Sequence, residues 1–204
     1  MRRPVVCIFM VFILILCCAA SSFADSDIDY NEWNSGGIYP ADVLGTQLLT
    51  PVKFLMDKKI ITGDTDGLFH PDKNITRAEF ATMVAKATNN IAELDRMENA
   101  KYFNDLEGYS WAKGYINAVA KAGLFNGRSD SKFAPGESVT YAEAITVIVR
   151  IRGGSGDMPG KWPDNYISFA ETYNMLGDIV VNDWNSPANK GDVAKLLYRV
   201  LPKD

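Results

Sequence analysis

The residues best suited to binding an anion lie at the start of a predicted helix. In Thr76-Arg77-Ala78-Glu79, Thr76 and Glu79 have the spacing of a capping box, and Arg77 falls in the first helical turn. The helix dipole favours an anion there and disfavours a cation by about 0.3–1 kcal/mol. A guanidinium beside free helix N–H groups, however, forms a ready carboxylate or phosphate site. The binding interpretation makes Arg77 an exposed charge that contributes little to stability. The alternative is an arginine that snorkels or pairs with a neighbouring acid.

The same string returns twice, with a different residue at the arginine position. "VTYAEA" (139–144) has Tyr141 there, and "ANKGDV" (188–193) has Lys190. Lysine keeps the charge but loses the bidentate fork, whereas tyrosine can only stack or form a hydrogen bond. The sequence therefore predicts one full-strength anion groove, one weakened groove and one groove that is not anionic. Trp111 and Trp162, which open two other predicted helices, are candidate platforms for sugar rings, with partial burial in the core as the alternative.

Catalytic and metal chemistry find little support in the chain. His70 is the only histidine, so no Ser-His-Asp triad near an obvious nucleophile and no multi-histidine metal site are indicated. The stretch 62–73 resembles a calcium loop, but Thr62 and Lys73 replace two of the carboxylates that such a loop needs. The remaining acids fall at capping and surface positions. We expect no cofactor, no metal and no enzymatic activity.

The helices that carry these strings belong to internal repeats. A shift of 64 residues aligns 63–79 with 127–143 and gives seven identities, and a shift of 49 places 188–201 under 139–152. Each unit has the pattern of a helix, a turn-rich loop and a second helix. One such hairpin cannot bury its apolar face alone, so the three units are expected to share a core in a mainly α fold.

The chain divides into the following predicted segments: a signal peptide at 1–24, a leader at 25–41, repeat 1 at 42–88, a connector at 89–101 with a short helix as one option, repeat 2 at 102–152, a glycine-rich hinge at 153–161 and repeat 3 at 162–204. The signal peptide rests on Arg2 and Arg3 ahead of the apolar run 5–20. A membrane anchor is the alternative, but this run is short for a span.

Composition narrows the classes of partner. All three cysteines (Cys7, Cys17 and Cys18) lie in the predicted signal peptide, so no disulfide or thiol chemistry is expected after it. Its removal takes two arginines and changes the net charge from −4 to −6. A mildly acidic chain without a basic block argues against nucleic acid as a partner.

Longer motifs resemble a known family. "GDTDGLFHPDKNITRAEFA" (63–81) resembles the signature of the S-layer homology family, and "WAKGYINAVAKAGL" (111–124) resembles its opening helix. "WPDNYI" (162–167) and "NKGDVAKLL" (189–197) resemble the third member of a family triplet. The resemblance implies three repeats packed as a pseudo-threefold spindle or bundle. It also implies non-covalent attachment to bacterial cell walls. The family's ligand-contacting arginine matches Arg77.

These observations lead to two functional hypotheses of different classes. The first is a secreted, non-catalytic anchoring module with no membrane span after signal cleavage. The family resemblance implies that its ligand is an anionic secondary cell-wall polysaccharide, of which a pyruvylated polymer is one form. The second is a structural interaction protein of an S-layer, envelope or spore coat that binds another protein or peptidoglycan. A small secreted hydrolase is a third, weaker hypothesis.

Overall fold

The computed structural model describes residues 39–89, 97–154 and 158–203. Within these ranges the chain forms six α-helices and a short 3-10 helix at Ala41–Val43, with isolated β-bridges in place of strands. The helices are α1 (Leu49–Asp57), α2 (Arg77–Ala87), α3 (Ser110–Lys121), α4 (Tyr141–Ile151), α5 (Asp164–Thr172) and α6 (Lys190–Val200). The predicted mainly α fold is confirmed. The predicted signal peptide, most of the leader and parts of the connector and the hinge lie outside the described residues.

The second helix of each repeat begins where the capping pattern predicted. The Thr76 hydroxyl accepts a hydrogen bond from the Glu79 amide, and the Glu79 carboxylate accepts one from the Thr76 amide. Thr140 and Glu143 form the same capping box at α4. Asn189 caps α6 with its side chain alone. The capping predictions are confirmed, and α2, α4 and α6 all start at the residue that follows the cap.

A closed ring of backbone hydrogen bonds joins the three repeats just before these caps. The Ile75 amide donates to the Ala188 carbonyl at 3.1 Å, the Ala188 amide to the Val139 carbonyl at 2.9 Å, and the Val139 amide to the Ile75 carbonyl at 3.0 Å. All three side chains are buried. Each repeat is thus bonded to both others.

The helices pack in the same cyclic order. The second helix of each repeat contacts the first helix of another, with α2 on α3, α4 on α5, and α6 on α1. One continuous apolar cluster draws on all three repeats, as expected for helical hairpins that cannot bury their apolar faces alone. The surface between α2 and α3, and the surface between α4 and α5, each form the floor of a groove.

The loops between paired helices are held by a carboxylate from the start of the repeat. Asp42 accepts a hydrogen bond from the His70 amide, and Asp105 accepts one from the Ala134 amide, both at 2.7 Å. His70 and Ala134 both adopt a left-handed backbone, with φ of 56° and 60°. These carboxylates stabilise an unfavourable backbone conformation and fix the loop walls of the grooves.

Candidate functional site

Arg77 lies inside the protein, and the expectation of an exposed first-turn charge was wrong. Its side chain is 1% exposed. The guanidinium crosses from repeat 1 into repeat 2, where Nε donates to the Phe133 carbonyl at 2.8 Å and Nη2 donates to the Asn126 carbonyl at 2.9 Å. Nη1 donates to Oε1 of Glu143 at 2.9 Å. Arg77 therefore connects two repeats, and its charge is paired with the Glu143 carboxylate of repeat 2.

Aromatic rings enclose the same guanidinium. Its central carbon lies 4.5 Å from the ring centroid of Phe125 and 4.7 Å from that of Phe133. Burial lowers the pKa of Arg77, and the nearby Glu143 carboxylate opposes this shift. The guanidinium nevertheless remains charged, because arginine side chains are not deprotonated in proteins. The planar fork is required here because it meets two carbonyl oxygens and one carboxylate at once.

The residues at the matching position of the other repeats also reach across a repeat boundary. Lys190 of repeat 3 donates from Nζ to Oδ1 of Asp64 in repeat 1 at 3.1 Å and lies 5.0 Å from the centroid of the Phe69 ring. Tyr141 of repeat 2 donates from its hydroxyl to Oδ2 of Asp192 in repeat 3 at 2.5 Å. Burial, together with the Asp192 carboxylate, raises the pKa of Tyr141 to about 12. All three residues therefore join repeats.

One groove opens above Arg77, between α4 and α5. This Trp162 groove has a volume of about 520 Å³. Its charged and aromatic lining consists of Arg77, Phe125, Arg128, Glu143, Arg150, Trp162 and Tyr166. Trp162 is 53% exposed, and its indole Nε1 donates to the Thr146 hydroxyl at 2.9 Å. This hydrogen bond fixes one edge of the ring and leaves part of the ring exposed to solvent.

A second groove, between α2 and α3, repeats the first position by position. This Trp111 groove has a volume of about 380 Å³. The matching lining consists of Lys190, Asp64, Glu79, Lys86, Trp111 and Tyr115. Trp111 is also 53% exposed. The structure thus brings Trp111 together with Lys190, and Trp162 together with Arg77, while both tryptophans are too exposed to be core residues.

The third junction, between α6 and α1, has different residues at these positions. Gln47 and Pro51 stand where the other junctions have tryptophan and tyrosine. On α6, Lys195 and Arg199 both bond to Asp178, at 2.7 and 2.6 Å. The tryptophan and tyrosine of the other two junctions therefore have no counterparts at the matching positions of this one.

Two cations that line the Trp162 groove, Arg128 and Arg150, were not predicted from the sequence. Arg128 is 40% exposed and contacts Glu143 at 2.6 Å and Glu137 at 2.9 Å. Arg150 is half-buried and lies 5.7 Å from the centroid of the Tyr166 ring. The shift of 64 residues could have drawn attention to Arg128, because it aligns this arginine with Asp64 of repeat 1 and so shows a reversal of charge between matching positions. The same shift aligns Arg150 with Lys86.

None of the helices in residues 39–89, 97–154 and 158–203 has the length and apolar character needed to cross a bilayer. In the same ranges, no three His, Cys, Asp or Glu side chains come together as metal ligands would. Asp66, one of the acids of the calcium-like loop, accepts hydrogen bonds from the Leu68 amide and contacts His70 Nε2 at 2.7 Å. Asp66 thus stabilises a turn.

Comparison with known proteins gives a family match and several partial relatives. Residues 47–81 and 102–145 match the S-layer homology domain, and residues 162–204 lie outside both matched segments. The chain is 36% identical over 155 residues to the Middle cell wall protein of Brevibacillus brevis, which covers 75% of this chain and 14% of that protein. It is 35% identical over 100 residues to the Cellulosome-anchoring protein of Acetivibrio thermocellus, 48% of this chain and 22% of that protein.

An enzyme also appears among the relatives. The chain is 30% identical over 121 residues to the Endoglucanase of Bacillus sp. (strain KSM-635), 59% of this chain and 12% of that protein. The chain spans less than a quarter of the length of each of these three relatives. The shared part is therefore one section of larger proteins whose names describe a wall protein, an anchor and an enzyme.

Proposed function

This chain belongs to the S-layer homology family, and from that membership we propose that it is a non-catalytic module that anchors a protein to a bacterial cell wall. Its proposed ligand is an anionic secondary cell-wall polysaccharide, of which a pyruvylated polymer is one form. A part shared by a wall protein, an anchoring protein and an enzyme supports a role in attachment, because attachment is the property that proteins of such different names can have in common.

The observation that carries the ligand class is the Trp162 groove. It places a half-exposed indole beside Arg128 and Arg150. A sugar ring presents an apolar face that stacks on an aromatic ring, and a carboxylate substituent pairs with a guanidinium fork. Three arginines against one glutamate give the lining a net charge of +2, in a chain whose overall charge is −4. The groove should therefore have a positive electrostatic potential, which attracts an acidic glycan.

The proposed roles of the five residues chosen from the sequence now differ. Trp162 and Trp111 contact sugar rings, and Lys190 lines the second groove. Arg77 lies beneath the first groove and positions Glu143 and the loop of repeat 2, so that Arg128 and Arg150 make the direct contacts with the acid. Tyr141 joins repeats 2 and 3 and contacts no glycan.

Co-sedimentation with purified wall sacculi tests this proposal. Trp162→Ala and Arg128→Ala should each weaken binding to intact sacculi, by about tenfold or more for a lost charge-assisted contact. Arg199→Ala is the matched control, because Arg199 occupies the position of Arg150 in the third junction, outside both grooves. Acid stripping of the secondary polymer should abolish binding of the wild type.

Two results would contradict the proposal. Equal binding by wild type, Trp162→Ala and Arg128→Ala would exclude the Trp162 groove as the glycan site. Binding that survives removal of the secondary polymer would instead favour a structural interaction protein that contacts another protein or peptidoglycan.

A further inference from the structure

The two grooves have the same plan and differ in the sign of one charge. Tryptophan, tyrosine, a half-buried cation, a capping glutamate and a cation from a neighbouring repeat occur at matching positions in both. The remaining matched position is Arg128 in the Trp162 groove and Asp64 in the Trp111 groove. The shift of 64 residues that superposes the repeats pairs these two residues directly.

The opposite charges of Arg128 and Asp64 change the electrostatic environment of each groove through the ion pairs that these residues form. In the Trp162 groove, Glu143 already pairs with buried Arg77, and Arg128 adds a second guanidinium 2.6 Å from the same carboxylate. In the Trp111 groove, Asp64 lies 3.1 Å from Lys190 and neutralises it. The lining of the Trp162 groove has a net charge of +2, which falls to +1 when Glu137, the partner of Arg128 outside the lining, is counted. The lining of the Trp111 groove, with two lysines and two carboxylates, has no net charge.

A carboxylate would experience the two grooves differently. Arg128 already contacts Glu137 and Glu143, but its guanidinium is 40% exposed and can give the carboxylate a further charge-assisted contact. Near Asp64 the carboxylate meets a like charge, and that charge already occupies the mostly buried Lys190. An uncharged sugar needs no ionic contact in the Trp111 groove, because it can bind by stacking on Trp111 and Tyr115. The two grooves thus differ in the charge of the sugar that they favour, although each has a tryptophan and a tyrosine for stacking.

We propose that one chain binds two kinds of sugar residue: the Trp162 groove takes an acidic residue, the Trp111 groove takes an uncharged one, and Arg128 and Asp64 determine this specificity. This inference rests on the proposed function, since it assigns ligand classes to grooves that bind glycan. It implies that a polymer with alternating acidic and neutral residues can engage both grooves of one chain, so that the second contact becomes intramolecular and raises avidity.

The tryptophans provide a separate reporter for each groove. In protein labelled with ¹⁵N-tryptophan, the indole N–H signals of Trp111 and Trp162 are assigned by Trp111→Phe and Trp162→Phe. The probes are the methyl glycoside of N-acetylglucosamine and its C6-carboxylate, which differ by one charge at nearly equal size. The carboxylate probe should shift the Trp162 signal at a concentration at least about tenfold below that needed for the Trp111 signal.

Charge variants then test the determinants. Arg128→Asp should abolish the preference of the Trp162 groove for the carboxylate probe, and Asp64→Asn should raise the response of the Trp111 signal to it. Arg128→Gln serves as a second variant in case Arg128→Asp unfolds, because it removes the charge without placing a third carboxylate beside Glu137 and Glu143.

The outcomes separate the two proposals. If the carboxylate probe shifts both indole signals at the same concentration, or if Arg128→Gln leaves its preference unchanged, the charge assignment is wrong while glycan binding stands. If neither probe shifts either signal although the wild type sediments with sacculi, the grooves do not bind single sugars of this kind and the inference is overturned. If the wild type also fails to sediment, the proposed function falls with it.

Discussion

Replacement of Arg77 by alanine should destabilise the protein severely, contrary to what its position at a helix start suggests. Arg77→Ala removes a guanidinium that is 1% exposed and that bonds to two carbonyl oxygens and a carboxylate of another repeat. The helix itself keeps its capping box, because Thr76 and Glu79 do not depend on Arg77. Any loss of stability therefore measures the contribution of the Arg77 contacts at the junction between repeats 1 and 2.

The contacts set the size of the effect. The carbonyls of Phe133 and Asn126 each lose a hydrogen bond, at about 1 kcal/mol apiece, the low end for a buried polar group left unsatisfied. Loss of the stacking on Phe125 and Phe133 adds about 1 kcal/mol. Glu143 adds little, because Arg128 and the Thr140 amide still donate to it. The expected total is about 3 kcal/mol, a large share of the 5–15 kcal/mol typical of a domain.

Urea denaturation followed by tryptophan fluorescence measures this loss. With a slope of about 2 kcal/mol per molar urea, the midpoint should fall by about 1.5 M. Arg128→Ala is the matched control, because Arg128 contacts the same carboxylate from an exposed position and should cost less than about 1 kcal/mol. Arg77→Lys keeps the charge without the fork and should lie between the two.

Comparable midpoints for Arg77→Ala and Arg128→Ala would refute this reasoning. So would an Arg77→Ala midpoint indistinguishable from that of the wild type, since either result would mean that the buried contacts contribute nothing net. A changed slope without a changed midpoint would point to the unfolded state instead.

Loss of a helix cap should cost less, with Thr76→Ala and Thr140→Ala each lowering the free energy of unfolding by about 0.5–2 kcal/mol in the same urea assay; unchanged midpoints would contradict the capping boxes. Hydrogen bonding from Lys195 lowers the pKa of Asp178 to about 2, below the value of about 3.9 that an unfolded chain has. The stabilisation by Asp178 is thus complete above about pH 4 and is lost as the pH falls towards 2. Because this carboxylate is partly exposed and screened, the effect is small, and Asp178→Asn should slightly flatten the acid limb of the stability curve; an unchanged limb would contradict the assignment. A fragment that ends at residue 158 lacks Ala188 and its ring hydrogen bonds, so it should melt lower and less cooperatively than the whole protein; equal melting curves would contradict the shared core.

Local features of the fold could be predicted from the sequence because the interactions that produce them span only a few residues. The capping box needs Thr76 and Glu79 three positions apart, and both side chains meet as soon as the helix forms. The repeat pattern predicted a shared core, since no single helical hairpin could bury its own apolar face.

Both tryptophans proposed from the sequence line a groove, but their surroundings were not predictable. Trp162 lies two residues before α5, and its partners in the groove come from α4, from the loop that precedes α4 and from Arg77 of α2. The residues that face the Trp162 indole depend on how two repeats pack against each other. This packing cannot be predicted from the residues next to Trp162 in the sequence. Only alignment of the repeats with one another could have suggested Arg128.

By itself, then, the sequence determined the helices, their caps, the repeat plan and the family. The tertiary structure alone decided the role of Arg77, whose three hydrogen-bond partners lie 49 to 66 residues further along the chain. The physical reason is that helix initiation acts over one turn, whereas the environment of a charge depends on everything packed around it. A first-turn arginine is unfavourable beside an isolated helix, and it becomes a buried connector once another repeat supplies carbonyls, a carboxylate and two aromatic rings.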